Sequence, residues 1–522
     1  MKDTPHTMSL SQSLLDIASA ADPAVGRVLG RYGTEPVSRV LSGLARPGEA
    51  GVQSREDLWH IVGDRVTAVY GADRARHVVN ELRSHPVLLT ANHYGMDTLA
   101  DSVQGTVLFA LQPHADGTPR RNVVMLGCGS VSLNNLTYPM GLLLYDAPAG
   151  TAEVPQRLPI FPNRLRNHAA GRVQPFDTGM VDRARTRLTG MAESGRLSQH
   201  GARVARFVLD EIVGDDDTLS APDYGRQSAR VNSALWGSVF PGNMPPAAHV
   251  QLQLEDVCAA LAVKDLQDPA ALLHRLMFTP TVRSTLLGGL DGARACWRLT
   301  ELRARLRRSS DLGLGDEGTA FFWAMTDYGR RVPLVLEERS GGMWLAGVDE
   351  RGERWEFPFA PEPVAAAVGA GQLVPSLFVC FTVLVFARAV VCVGGHYQAR
   401  YLPMMRDGVV AALNEEDATL AGQLVRLPVD RCLAGLQFAV TTGADGLALP
   451  AGAVEIAGHG GFTQADLDRA PSVTTRDAHL AAFVEYFRSL VPDAPLPGDW
   501  AARLAADNAA GDSPLIAFRR AP

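Results

Sequence analysis

The sequence predicts an α/β protein with a parallel core sheet, helical insertions and a small antiparallel β meander. Three observations lead there. Short runs at 86–90, 122–126 and 389–393 are apolar almost throughout and end in polar, Gly-bearing loops, as buried strands of a parallel sheet do. Three-and-four spacing of apolar residues, the helical period, fills much of the remainder. Between 319 and 359, strand-like runs alternate with Gly-bearing turns, the pattern of a meander.

In chain order, a helical N-terminal region at 1–84 carries Leu14, Ile17 and Ala18, then Leu58, Ile61, Val62 and Val66, at helical spacing. The first part of the α/β core follows at 85–213. Its first strand runs into Ala91-Asn92-His93-Tyr94-Gly95 and a helix over 98–111; its second runs into Gly127-Cys128-Gly129-Ser130 and Asn134-Asn135. Asp215-Asp216-Asp217, then Gly, Pro, Asn and Ser through Pro246, read as an interior loop. That loop opens a helical insertion, 214–310, whose helices run over 252–308. The last of them bears Arg294, Arg298, Arg303, Arg305, Arg307 and Arg308, read as a solvated face.

The meander occupies 311–371, with strands expected at 319–325, 332–338, 343–348 and 355–359. The α/β core returns at 372–402 through a helix over 376–387 and the strand ending in Gly394-Gly395-His396. A mixed C-terminal region, 403–522, contains Thr463 and Asp466 in the arrangement of a helix start.

Composition narrows the function. With 46% hydrophobic and 20% charged residues the chain is neither disordered nor fibrous. A net charge of −7 with no basic block argues against a nucleic-acid surface. Of 49 basic residues only Lys2 and Lys264 are lysines, and no Gly-rich loop precedes Lys264. A pyridoxal phosphate Schiff base and a P-loop nucleotide site are therefore not expected; other cofactors, and the oligomeric state, stay open. The cysteines at 128, 258, 296, 380, 392 and 432 form no CxxC pair, so no metal site is indicated. No signal segment is visible, which implies reduced thiols and a cytoplasmic location. The most apolar stretch, 377–393, is interrupted by Thr382 and Arg388 and is too short for a membrane span. The expected partner is a small-molecule substrate.

Ligands of open α/β sheets sit at the carboxyl ends of the strands. Three loops have that address. In the first, His93 can act as acid or base, with Asn92 and Gly95 beside it and Asp97 behind. In the second, Asn134 and Asn135 offer polar contacts; Cys128 reads as a packed thiol, because no motif supplies it with a base. The third, Gly394-Gly395-His396-Tyr397-Gln398 with Arg400 and Tyr401, gathers polar groups directly after a core strand. His93 and His396 are the expected catalytic pair. Asn92, Gly95, Asn134, Asn135, Gly394, Gly395, Gln398, Arg400 and Tyr401 are the expected substrate contacts. Arg164 and Arg166 could clamp an anion, and Gly458-His459-Gly460-Gly461 reads as a lid or connector.

The order of these loops, over 89–95, 123–135 and 390–401, resembles that of the bacillithiol-synthesis cysteine-adding enzymes. That resemblance implies a Rossmann-like core and ligase-like chemistry. Leu133-Asn134-Asn135 stands where that family has an acidic-and-His cluster, and His396-Tyr397-Gln398 where it has an acidic residue. A second pattern, Asn92-His93 with Asp97 and, later, Phe161-Pro162, resembles the glycerolipid acyltransferases; here Asn163-Arg164 replaces the expected Glu-Gly. The expected function is a biosynthetic ligase or transferase joining an amine or thiol nucleophile to an activated polar acceptor. The alternatives are an acyltransferase using an acyl thioester with His93 and Asp97, and a non-catalytic small-molecule-binding protein.

Overall fold

The structure, a computed structural model, describes residues 9–44, 52–135, 140–146, 154–240, 247–307, 315–443, 446–509 and 513–518. Lys2, Arg308 and the 241–246 part of the Gly- and Pro-rich stretch lie outside the described residues.

The elements that place the functional loops are, in chain order, helix α1 (Pro23–Tyr32), strand β1 (Val87–Leu89), helix α2 (Ala100–Leu111), strand β2 (Asn122–Gly127) and strand β3 (Ala248–Gln253). Helix α3 (Leu254–Gln267), strand β4 (Val391–Val393), helix α4 (His396–Leu413) and helix α5 (Thr475–Leu490) complete the set. The four strands form one sheet in the order β4-β1-β2-β3, parallel throughout. Val87 lies opposite Val391, Leu89 opposite Met125, and Asn122 opposite Ala248. The chain steps from β1 to β2 to β3 in one direction and then returns to the far side of β1 with β4. The strand order thus reverses between β1 and β4, where open sheets leave a crevice at their carboxyl ends.

Alternation across the sheet explains why three of these strands are apolar at nearly every position. Leu88, Val124, Leu126, Val250, Leu252 and Cys392 join one hydrophobic cluster, packed against α3 and the helix Glu56–Tyr70. Val87, Leu89, Val123, Met125, Val391 and Val393 join another, covered by α2 and the helices Thr178–Glu193 and Tyr224–Val239. Side chains of successive strand residues point to opposite faces, so a strand covered on both must be apolar at both.

Two expectations are corrected here. The helical block was expected to start at 252, but 248–253 is the third core strand. Its His249, Gln251 and Gln253 alternate with apolar residues, so it lacks the continuous apolar run that marks its neighbours. The interior loop expected through Pro246 contains instead the helix Tyr224–Val239, which buries Val231, Leu235, Trp236 and Val239. Asp223 caps it through the Arg226 N–H, at 2.8 Å.

The meander is present but divided. Arg354–Pro358, Gly342–Val348 and Val335–Arg339 form one three-stranded antiparallel sheet, and Leu373–Pro375, Phe322–Met325 and Arg331–Pro333 a second. The break falls at Leu334, directly after Pro333, where the backbone N–H donates to Thr319 Oγ1 at 2.8 Å and not to a neighbouring strand. Thr463 and Asp466 form the expected reciprocal cap. Among the described residues no helix is long and apolar enough to cross a membrane. The most apolar stretch is instead the helix Leu377–Phe381 continued by a π-helical turn, Thr382–Phe386.

Arg388 follows that turn and is 1% exposed. Its guanidinium donates to Asp57 Oδ1 and Oδ2 at 2.9 and 2.6 Å, to Asp265 Oδ2 and Oδ1 at 3.0 and 2.7 Å, and to the Val383 carbonyl at 2.9 Å. Removing one member of a buried charge group leaves the others uncompensated. Arg388→Met is expected to lower stability by about 3–5 kcal/mol, read as a fall in the urea midpoint. A midpoint within error of the wild type would show the group to be dispensable.

Candidate functional site

The carboxyl ends of β1 and β4 are linked by side chains that follow both strands. Thr90 Oγ1 donates to Gln398 Oε1 at 2.7 Å, and Gln398 Nε2 donates to the Cys392 carbonyl at 2.9 Å. Gln398 folds back over Gly394, where a Cβ would collide with its amide. Gly394 is therefore required by close approach, and Gly395 stands at the N-cap of α4. Tyr401, one turn along α4, is 8% exposed and lies within electrostatic reach of the Cys128, Cys392 and Cys380 thiols. Burial and those neighbours push its phenol well up.

On the β2 side, Cys128 donates through Sγ to Glu255 Oε1 at 3.1 Å. The same carboxylate accepts the Gly129 N–H at 2.8 Å on Oε2 and the Ser130 N–H at 2.8 Å on Oε1. Glu255 stands in the first turn of α3, where the helix dipole favours a negative charge. Burial and the Glu255 charge push the Cys128 thiol well up, so it rests protonated. The Arg331 guanidinium lies within electrostatic reach of both Cys128 and Glu255. All six cysteines are free thiols; five are buried and Cys128 is partly accessible.

The first loop is held from behind. Asn92 is 2% exposed; its Nδ2 donates to Asp97 Oδ2 and Ser102 Oγ, each at 2.6 Å. Ser102 Oγ also donates to Asp97 Oδ2, at 2.5 Å. The Asn92 amide is thus turned toward α2 rather than into the crevice. Asn232 Nδ2 donates to the Gly95 carbonyl at 2.8 Å and to Gln251 Oε1 at 2.7 Å, and Gln251 Nε2 reaches the His93 carbonyl at 3.0 Å. Burial pushes His93 down to about 4, so its imidazole is neutral near pH 7. A backbone bridge pairs His93 with Cys128, keeping this loop beside the second.

His396 occupies a different chamber. Its ring lies 4.7 Å from that of Tyr486 on α5, and neither of its nitrogens has a hydrogen-bond partner. Val25 of α1, Val40, Cys432 and His479 share the small cavity with it, and none of residues 92–95 does. Burial pushes His396 down to about 3. Gly435 has a φ of 79° and carries no side chain because a Cβ would meet the Tyr486 hydroxyl at 2.6 Å. Arg400 turns the same way, 3.8 Å from Asp22 Oδ2. The structure therefore brings together the loops that the sequence singles out, but places its catalytic pair in separate surroundings.

Asn134 is exposed, and its backbone N–H bonds the Arg166 carbonyl at 2.8 Å; the Asn135 N–H bonds the Ser132 carbonyl at 2.9 Å. That segment packs on 166–171 at the outer side of the second loop. The sequence reading missed Glu255, Arg331, Asn232 and Gln251. The available signal was the alternation of 248–253: once read as a core strand, it puts Glu255 at a carboxyl end. Among the described residues no group of His, Cys, Asp and Glu could hold a metal ion.

Beside the His396 chamber, burial raises Glu485 to about 8 and Asp101 to about 6. Glu485 accepts from the Tyr145 hydroxyl and from Gln437 Nε2, and Asp101 accepts the Gly435 N–H at 2.8 Å. Both groups bind a proton more tightly folded than unfolded. Their contribution to stability is complete below the ordinary carboxyl range and is lost as pH rises toward 8. Glu485→Gln should flatten the decline of Tm between about pH 5 and 9. An unchanged slope would remove Glu485 as its source.

No family model matches the chain, nor does any curated protein or solved structure.

Proposed function

We propose that the chain is a group-transfer enzyme of small-molecule biosynthesis, a transferase or ligase that joins an amine or thiol nucleophile to an activated polar acceptor. The reaction is assigned to the crevice at the carboxyl ends of β1, β2 and β4. The reversal of strand order there supports reading the core as Rossmann-like. The observation that carries the reading is the 3.1 Å contact between Cys128 Sγ and Glu255 Oε1, which gives this partly buried thiol the base that no nearby motif supplies.

A protonated thiol must lose its proton as it attacks. The Cys128 sulfur forms a bond to the electrophilic carbon of the acceptor, its proton passes to Glu255, and the leaving group departs with the bonding pair. The amine or thiol substrate then attacks the resulting thioester; the carbon–sulfur bond breaks, Glu255 returns its proton to the Cys128 sulfur, and the carboxylate so freed takes the proton that the nucleophile loses. Arg331 balances the carboxylate and can face an oxyanion developing on the acceptor. Thr90, Gln398 and Tyr401 form the wall, and neutral His93 stays at the edge through its backbone bridge to Cys128. The proton work first expected of His93 and His396 falls to Glu255.

Intact-mass analysis after incubation with a panel of acyl thioesters and acyl adenylates tests this reading. A single acyl adduct on the wild type, absent from Cys128→Ala, is expected. Glu255→Gln should slow adduct formation by about 10²–10⁴-fold, with a thermal melt confirming that the loop brace survives. Adducts of equal yield in Cys128→Ala, or none on the wild type, would overturn the assignment.

A further inference from the structure

A cavity of about 560 Å³ lies between helix Pro280–Gly289, helix Leu299–Arg305 and the hairpin of Val335–Arg339 with Gly342–Val348. Leu287, Leu306, Leu336 and Met343 give it apolar surface; Arg283, Arg303 and Arg307 line it with charge. The wall formed by the hairpin is electrically balanced. Arg339 and Arg354 each bond both Glu337 and Glu356. Three guanidinium groups then confront one further lining carboxylate, Glu338, in a chain whose net charge is −7.

The three arginines form no ion pair with a carboxylate among the described residues. Arg283 is half-buried and fixed in place: it donates to the Met277 carbonyl at 3.0 Å, and its guanidinium carbon sits 5.6 Å from the centre of the Phe359 ring. Arg303, on the helix, and Arg307, two residues past its end, are both exposed and both line the cavity. By contrast Arg305, on the opposite side, is buried against Glu317 at 2.8 Å. A solvated face, the sequence reading, accounts for Arg298, which pairs with Glu301 at 3.5 Å. It leaves unexplained why the members without an ion pair among the described residues converge on a ligand-sized hollow that is partly lined by apolar side chains.

We propose that this groove is a second binding site, for a phosphorylated small molecule that also carries an apolar body. The planar guanidinium fork matches two phosphate oxygens at once, and the aliphatic floor would take the remainder of the ligand. The site is independent of the chemistry assigned to Cys128.

Isothermal titration with inorganic pyrophosphate, ADP and acetyl-coenzyme A separates the charged group from the body attached to it. Saturable binding of at least one of the two organic phosphates, tighter than that of pyrophosphate, is expected. It should weaken at least about tenfold in the Arg303→Ala/Arg307→Ala variant and persist in Cys128→Ala, which places the ligand outside the reacting crevice. Arg303→Lys/Arg307→Lys keeps the charge but loses the fork, and should also bind more weakly. No binding of any probe, binding unchanged in the alanine variant, or full binding in the lysine variant would each overturn the proposal.

Discussion

One buried guanidinium holds the two halves of the core in register. Arg388 ties Asp57, on the helix Glu56–Tyr70, to Asp265 on α3, directly before the chain enters β4. Arg55 reinforces the same point by donating to the Arg388 and Ala389 carbonyls, at 2.5 and 3.1 Å. Ala389 adopts a φ of 48°, a conformation unusual for a residue with a Cβ, where the chain swings from the π-helical turn into the sheet. Everything past β4 inherits that placement, including Gly394, Gln398 and Tyr401. The crevice at the end of β4 thus depends on an ion group at the strand's opposite end.

The crevice and the His396 chamber lie on different sides of α4, which begins directly after Gly394 and Gly395. Residues on two faces of that helix then look in different directions. Gln398 and Tyr401 turn to the strands, whereas His396 and Arg400 turn to α1 and α5. The two settings differ in character. In the crevice a carboxylate is engaged by a thiol and two backbone N–H groups. In the chamber, imidazoles are neutral through burial, and the nearby carboxyls are raised for the same reason.

The legible part of the fold was the part governed by continuous burial. β1, β2 and β4 announced themselves because both faces of the sheet are covered, and each ended in the loop that the structure places at the crevice. β3 did not, because Gln251 spends its polar side chain on Asn232 and on the first loop. Missing that strand also hid Glu255 and left Cys128 without a base. The partner of Cys128 is 127 residues away, a distance that no local spacing rule covers. The hairpin at 335–348 was legible from its turn, but the division of the meander falls at Leu334, whose N–H goes to the hydroxyl of Thr319, fifteen residues earlier.

The sheet has a consequence for how the chain reaches its folded form. Thr90 and Gln398 are 308 residues apart, and the strands they follow are direct neighbours. A pairing between strands this far apart in sequence forms slowly, because the entropy of closing so long a loop precedes any reward from the contact. During synthesis the edge of β1 that later receives β4 must wait unsealed, its backbone N–H and C=O groups open to other extended segments, until most of the polypeptide has left the ribosome.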